Sequence, residues 1–355
     1  MARRALFALA LAASLASCTS VNYYAQAAHG QLSLLSDARP VDEVIADSST
    51  DPKLRLRLEK ARQIRRFAVT ALGLPDNRSY TNYTALARPF VLWNVVATPE
   101  LSLKPMQWCF PVAGCVSYRG YYGKQDAQDY GNALRAEGMD VQVAGVTAYS
   151  TLGWFNDPLI STFINYADAE LARLIFHELA HQVVYVKGDS RFNESFATAV
   201  EEAGVQQWLD QFGNETMRAN YAKYVTRKQE FQDFLLKYRR QLEAVYASRD
   251  SAADKRAAKA RLFQQIKDEY PLLKQHWDGY AGYDRFFAEP LSNAHLAAIA
   301  TYSDLVPAFR ALLAREHSFP AFYAAARALA LLEREERNAR LKQLAGCCDA
   351  ASPNS

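Results

Sequence analysis

One segment constrains this chain more than any other: DAELARLIFHELAHQVVYV, residues 168–186. Its spacing is helical and it is apolar nearly all round, so the rest of the fold has to wrap it. The opening acids, Asp168 and Glu170, suit the positive end of a helix dipole. Inside this apolar helix stand His177, Glu178 and His181, two of the chain's six histidines with a glutamate directly after the first. The two histidines are one turn, roughly 6 Å of helix rise, apart, so their imidazoles converge on one point. Glu178 is turned about 100° around the axis, close enough to reach a ligand of whatever the histidines hold.

His-Glu-x-x-His on a helix offers two neutral imidazoles to a zinc ion and a carboxylate that can take a proton from water. The bland arrangement would be two hydrogen-bonded core histidines with Glu178 in a buried ion pair. Three ionisable groups in one apolar helix are costly unless something neutralises them, and a dication does so. A hydrolytic zinc site wants a third protein ligand and one open position. Candidates follow the loop VKGDSR, where Gly188 lets the chain turn back. The next helix, NESFATAVEEAGVQQWL, has Asn193 as its expected cap. Glu194 lies at its start, and Glu201 is seven residues further on nearly the same face. Either carboxylate could point at the first helix.

HExxH followed by Asn193-Glu194-x-Phe196-Ala197, with Glu201 beyond, resembles the gluzincin metallopeptidases, and the zinc aminopeptidases among them. The resemblance implies that His177, His181 and Glu194 bind one Zn2+ and that Glu178 is the general base. It places Thr198 where related enzymes support the first histidine, and it favours Glu194 over Glu201 as third ligand because Asn193, Phe196 and Ala197 extend the match. The spacing from His181 to Glu194 is shorter than in the familiar gluzincins, a spacing that Glu201 would restore. The acidic strand that anchors a substrate's amine in the classical aminopeptidases is missing. GVTAYSTLGWF, residues 145–155, stands in its place as an expected edge strand for a peptide. From lipobox through WCFPVAGC and AYSTLGWFNDP to the catalytic helices, the chain also resembles a bacterial lipoprotein family described as aminopeptidases.

The N-terminus, MARRALFALALAASLASC, has a basic start, a short apolar run and small residues, a secretory signal over residues 1–17. Leu15-Ala16-Ser17-Cys18 resembles a lipobox, which implies a lipid on Cys18 and residues 18–355 tethered to a membrane surface. Thr19 then favours the outer membrane, with the domain facing the periplasm of a bacterial cell envelope. Cys109 and Cys115, six apart with Pro and Gly between, read in an exported chain as a disulfide loop. Cys347 and Cys348 carry no reading. Net charge is +3, two of it from Arg3 and Arg4, and no basic run suggests nucleic acid as a partner.

Half of the 355 residues are hydrophobic, enough for a large core. Residues 23–75 read as helical, 79–155 as strand-rich, 168–212 as the catalytic helices, 215–270 as a long helical hairpin whose return helix Pro271 ends, and 293–345 as C-terminal helices. KQDAQDYGNALRAEG is a helix stopped by Gly138. The expected fold is α+β and mostly helical: a sheet-containing N-terminal half packed on a helical zinc-metallopeptidase half, as one domain without a linker. The catalytic helices should floor the cleft and a sheet edge should wall it. Tyr302 and His295 are candidate oxyanion stabilisers; His276 and His317 read as surface residues. The function expected is a zinc peptidase of aminopeptidase type acting on peptides. The alternative is a membrane-tethered binding or chaperone-like module with a structural zinc, in which the charged hairpin is the working surface.

Overall fold

The computed structural model describes residues 21–110, 114–299 and 305–349. The signal segment, Cys18 and Tyr302 lie outside these residues. The chain begins in helix α1 (21–36). It continues through β1 (Arg39–Pro40), α2 (Val41–Ala46), α3 (Pro52–Thr70), β2 (Asn82–Thr84), β3 (Leu92–Pro99), β4 (Trp108–Phe110), β5 (Gly114–Val116) and β6 (Arg119–Tyr121). Next come α4 (Lys124–Ala136), β7 (Met139–Val146), β8 (Leu159–Ile160), α5 (Asp168–Ala180), α6 (Ser190–Phe212), α7 (Glu215–Ala247) and α8 (Ala252–His276). The chain closes with α9 (Asp284–Phe287), α10 (Asn293–Ile299), α11 (Val306–Glu316), α12 (Phe319–Ala330) and α13 (Arg334–Asp349). The fold is α+β and mostly helical, with small sheets.

The helix α5 is buried as its composition demands: Leu171, Ala172, Ile175, Phe176 and Ala180 are fully enclosed. It lies in the main core with α3, α6, α11 and α12, where Phe196 stacks on Phe322 and packs against Phe309. Arg57 on α3 fixes where α5 begins. It donates to the carbonyls of Ile164 and Tyr166 and to the Asp168 carboxylate, the first residue of the helix. The central sheet has the order β6-β3-β7, antiparallel throughout, with Trp93 facing Gly145 and Tyr121 across its two ladders. Its strands alternate, as half-buried strands must. Trp93, Val95, Ala97 and Tyr121 face α4, which buries Ala127 and Leu134 against them. The opposite face, with Leu92, Asn94 and Gly120, looks towards α5.

The hairpin of α7 and α8 has a core of its own, with Phe231, Leu235, Tyr238 and Leu242 facing Phe263, Ile266 and Tyr270. Pro271 does not end the return helix; α8 runs through it to His276. Packing overrides the lost backbone donor here, because the turn beyond the proline presents Leu273 to the second core and delivers the buried Trp277. The indole of Trp277 donates to Glu230 on α7 at 2.5 Å. Two further boundaries differ from expectation. Helix α5 stops at Ala180 with His181 as its C-cap, since the β-branched run after Gln182 is a poor helix former. Helix α6 starts earlier than expected, capped by Asp189, whose carboxylate accepts from Phe192 N–H and pairs with Arg337 at 2.6 Å. Asn193 instead closes the loop in front of α6, its amide exchanging two hydrogen bonds with the backbone of Val186. Gly188 has φ +77°, the left-handed turn that reverses the chain between the two helices.

Candidate metal centre

His177, in the last turn of α5, and His181, its C-cap, meet Glu194, in the second turn of α6. The Nε2 atoms of the two histidines are 3.2 Å apart, and Glu194 Oε2 lies 3.2 Å from His177 Nε2. Glu194 Oε1 is 3.8 Å from His181 Nε2, so all three donor atoms fall within 4.8 Å of one another. Among the described residues this is the one cluster of three or more such side chains that could hold a metal ion.

Glu201 stands elsewhere. Its Oε2 lies 2.8 Å from Nδ1 of His177, on the side of the ring away from His181, and 3.0 Å from Arg173; Lys228 is 3.5 Å from its other oxygen. Of the two glutamates that could have joined the histidines, Glu194 faces the shared nitrogens and Glu201 faces the back of one ring. Thr198 lines the small pocket beside Glu201, but Glu201 makes the contact to the ring. Glu178 borders the cavity on the open side of both histidines.

The protonation pattern follows from this crowding. Burial opposes charge on His177, but Glu201 and Glu194 outweigh it and raise the imidazole to about 10. Burial lowers His181 to about 4, so it is neutral. Burial also opposes charge on Glu194, yet the two histidines hold it below the usual carboxylate range. One shared positive charge therefore sits between two carboxylates, where a dication would fit. The Nδ1 of His181 is buried without a hydrogen-bond partner among the described residues, while its Nε2 faces His177 and Glu194. The donor set, two imidazoles and a carboxylate, suits zinc with a position left open. Glu178 is raised to about 7, chiefly by burial, in the range of a working general base.

The cavity in front of the histidines measures about 410 Å³. Residues 147–155, which were expected to extend a strand, leave the sheet at Val146 and line it as irregular chain through Ala148, Tyr149, Ser150 and Leu152. The cavity wall is the face of the sheet, Leu92, Asn94 and Gly120, rather than a free edge. Cys109 and Cys115 are disulfide-bonded across β4 and β5, and this hairpin leans on the loop between α5 and α6. A methyl group on Gly114 would come within 2.7 Å of Gly188 N. His295 is remote, buried on α10 with its Nδ1 against Ser292. His276 is exposed and pairs with Glu230, and His317 caps α11 at the surface.

Several residues at the site were not singled out from sequence. Tyr118 and Tyr185 line the cavity, and burial together with the Glu194 carboxylate raises both phenols. Arg173, one turn before His177, carried a readable signal: an arginine in an otherwise apolar helix needs a buried acid. Lys228 carried none, being one of many charges on α7.

A family model described as "Putative aminopeptidase" matches residues 22–341, and the chain belongs to that family. By that description it is a peptidase, with peptides as its substrate class. No curated protein and no solved structure matches the chain.

Proposed function

We propose that this member of the aminopeptidase family is a zinc-dependent metallopeptidase, with His177, His181 and Glu194 as ligands of one zinc ion and Glu178 as general base. The observation that carries the reading is the convergence of those three donor atoms at the wall of a cavity that also presents the Glu178 carboxylate. Zinc held there would supply Lewis acidity to the scissile carbonyl and to water. Glu178 takes the proton of the attacking water and passes it to the leaving amine nitrogen. Glu201 keeps His177 turned so that Nε2 faces the cavity, and Arg173 and Lys228 hold Glu201 ionised. With Glu201 behind the ring, nothing in the arrangement supports a closed four-ligand structural site. The lipobox at Leu15–Cys18 supports a lipid-anchored protein of the cell envelope, on the outer membrane and facing the periplasm.

The test uses the protein with a defined peptide mixture, half of it N-acetylated, followed by mass spectrometry. Stepwise loss of single residues from free N-termini alone is expected, and none with Glu178→Gln at unchanged zinc content. Cleavage regardless of acetylation would make the enzyme an endopeptidase. Turnover retained by Glu178→Gln would sink the mechanism.

A further inference from the structure

His177 and Glu178 border two spaces. On one side is the cavity already described; on the other is a smaller pocket of about 220 Å³ between α5, α6 and α7. The two differ sharply in chemistry. Among the described residues the larger space has no lysine or arginine in its wall. It has five tyrosines, Tyr23, Tyr118, Tyr122, Tyr149 and Tyr185, and the carboxylates of Glu178 and Glu194. Asn94 adds an amide oxygen that is buried without a donor among the described residues. Tyrosine faces and carboxylates favour an ammonium group and disfavour an anion.

Among the described residues the smaller pocket is lined by Arg173, Lys228, Gln232, Thr147 and Thr198, with Glu201 as its one acid besides the shared Glu178. Glu201 lies 3.0 Å from Arg173 and 3.5 Å from Lys228, and Glu178 stands at the border with the larger cavity. Arg173 keeps a buried Nε with no acceptor among the described residues. Lys228, on α7, is a third exposed and can swing towards the pocket. The pocket is smaller than the roughly 300 Å³ at which ligand sites usually begin, so it suits one residue rather than a continuing chain.

We propose that this pocket is a carboxylate subsite, held by Lys228 and the unpartnered Nε of Arg173, and that the substrates are short peptides carrying a carboxylate on the leaving side of the cleaved bond. The proposal rests on the peptidase reading of the same site. The substrate's ammonium end lies among the tyrosines, the reacting carbonyl stands at His177 and Glu178, and the carboxylate meets Lys228. The carboxylate is either the peptide's own C-terminus or an acidic side chain next to the cleaved bond.

The test is binding, read apart from turnover. The probes are dipeptide analogues with a reduced, uncleavable Phe-Ala bond, ending in a free acid or an amide, and a reduced Phe-Glu amide against its Phe-Gln counterpart. Calorimetry on the full zinc-loaded protein and on Lys228→Met is the readout. A charge-assisted contact should favour the acid over the matched amide by about tenfold or more, and the ratio should fall towards one in Lys228→Met. Preference confined to the free C-terminus, or to the Glu side chain, assigns the source of the carboxylate. Equal binding of acid and amide by the unmodified protein overturns the proposal and needs no variant, as does a preference that Lys228→Met leaves intact. If peptides are not cleaved while the acid preference holds, the peptidase reading fails and the subsite stands; cleavage without the preference gives the opposite result.

Discussion

His177 is gripped from both ends, by Glu194 at Nε2 and Glu201 at Nδ1. The two carboxylates should separate on mutation. Glu194→Ala removes a ligand and should lose zinc outright by elemental analysis. Glu201→Ala leaves the donor set but frees the ring and should weaken zinc by about 10–100-fold. Equal zinc content in both variants would reassign the ligand. Sequence made His177, Glu178 and His181 legible because a helix turns spacing into direction; spacing left Glu194 and Glu201 open, and only the family resemblance favoured Glu194. Sequence could not place Asn193, because Asp189 competed for the same cap four residues earlier, nor reveal Lys228, whose role depends on how a distant helix docks. Asp157 was equally hidden. It is buried below the cavity loop, its Oδ2 accepting from Thr151 N–H at 2.9 Å and its Oδ1 without a donor among the described residues. Burial raises its carboxyl from 3.8 to about 6. A raised acid favours the protonated fold, so its contribution is complete below about pH 4 and lost as pH rises through 6. Asp157→Asn keeps the acceptor and should be more stable than the unmodified chain above pH 6, by up to about 3 kcal/mol. That gap should close near pH 4 in denaturant melts; a gap independent of pH would refute the charge argument.

At the scale of elements, periodicity identified what tertiary contact does not overrule. Alternation found β3 and β7, Gly138 ended α4, and aromatic residues three to four apart gave the α7–α8 hairpin. Pro271 was misread because its local cost is outweighed by the packing of Leu273 and Trp277, which no window around the proline contains. The sheet was expected to meet the site edge-on and meets it face-on, since sequence alternation tells which residues share a face but not which face gets α4. The angle between α5 and α6 is set by close approach. A Cβ on Gly204 would stand 2.7 Å from Leu72 and 2.9 Å from Phe176, the residue before His177. Gly204→Ala should therefore cost about 1–3 kcal/mol of stability by overpacking, and should lower zinc affinity by moving Glu201 with its helix. An unchanged denaturation midpoint would show that the two helices have room.

Among the described residues there are three hydrophobic clusters, and the candidate metal ligands come from two helices of the largest. Metal binding and folding should then be linked, since ligands brought together by α5 and α6 are apart in the unfolded chain. Zinc at a hundredfold excess over its dissociation constant should stabilise the fold by about 2.7 kcal/mol. A chelator should abolish that gain, and a melt indifferent to zinc would argue against the site. One further consequence belongs to α1. This helix, the first described part of the chain, puts Tyr23 and Ala27 into the cavity wall. It is seated by Arg119 over Tyr23 and by Gln26 and Gln31 on Tyr122. Export, trimming or anchoring a few residues upstream would pull on that seat. If Cys18 carries a lipid, as proposed, the tether joins the chain three residues before the helix that helps wall the cavity.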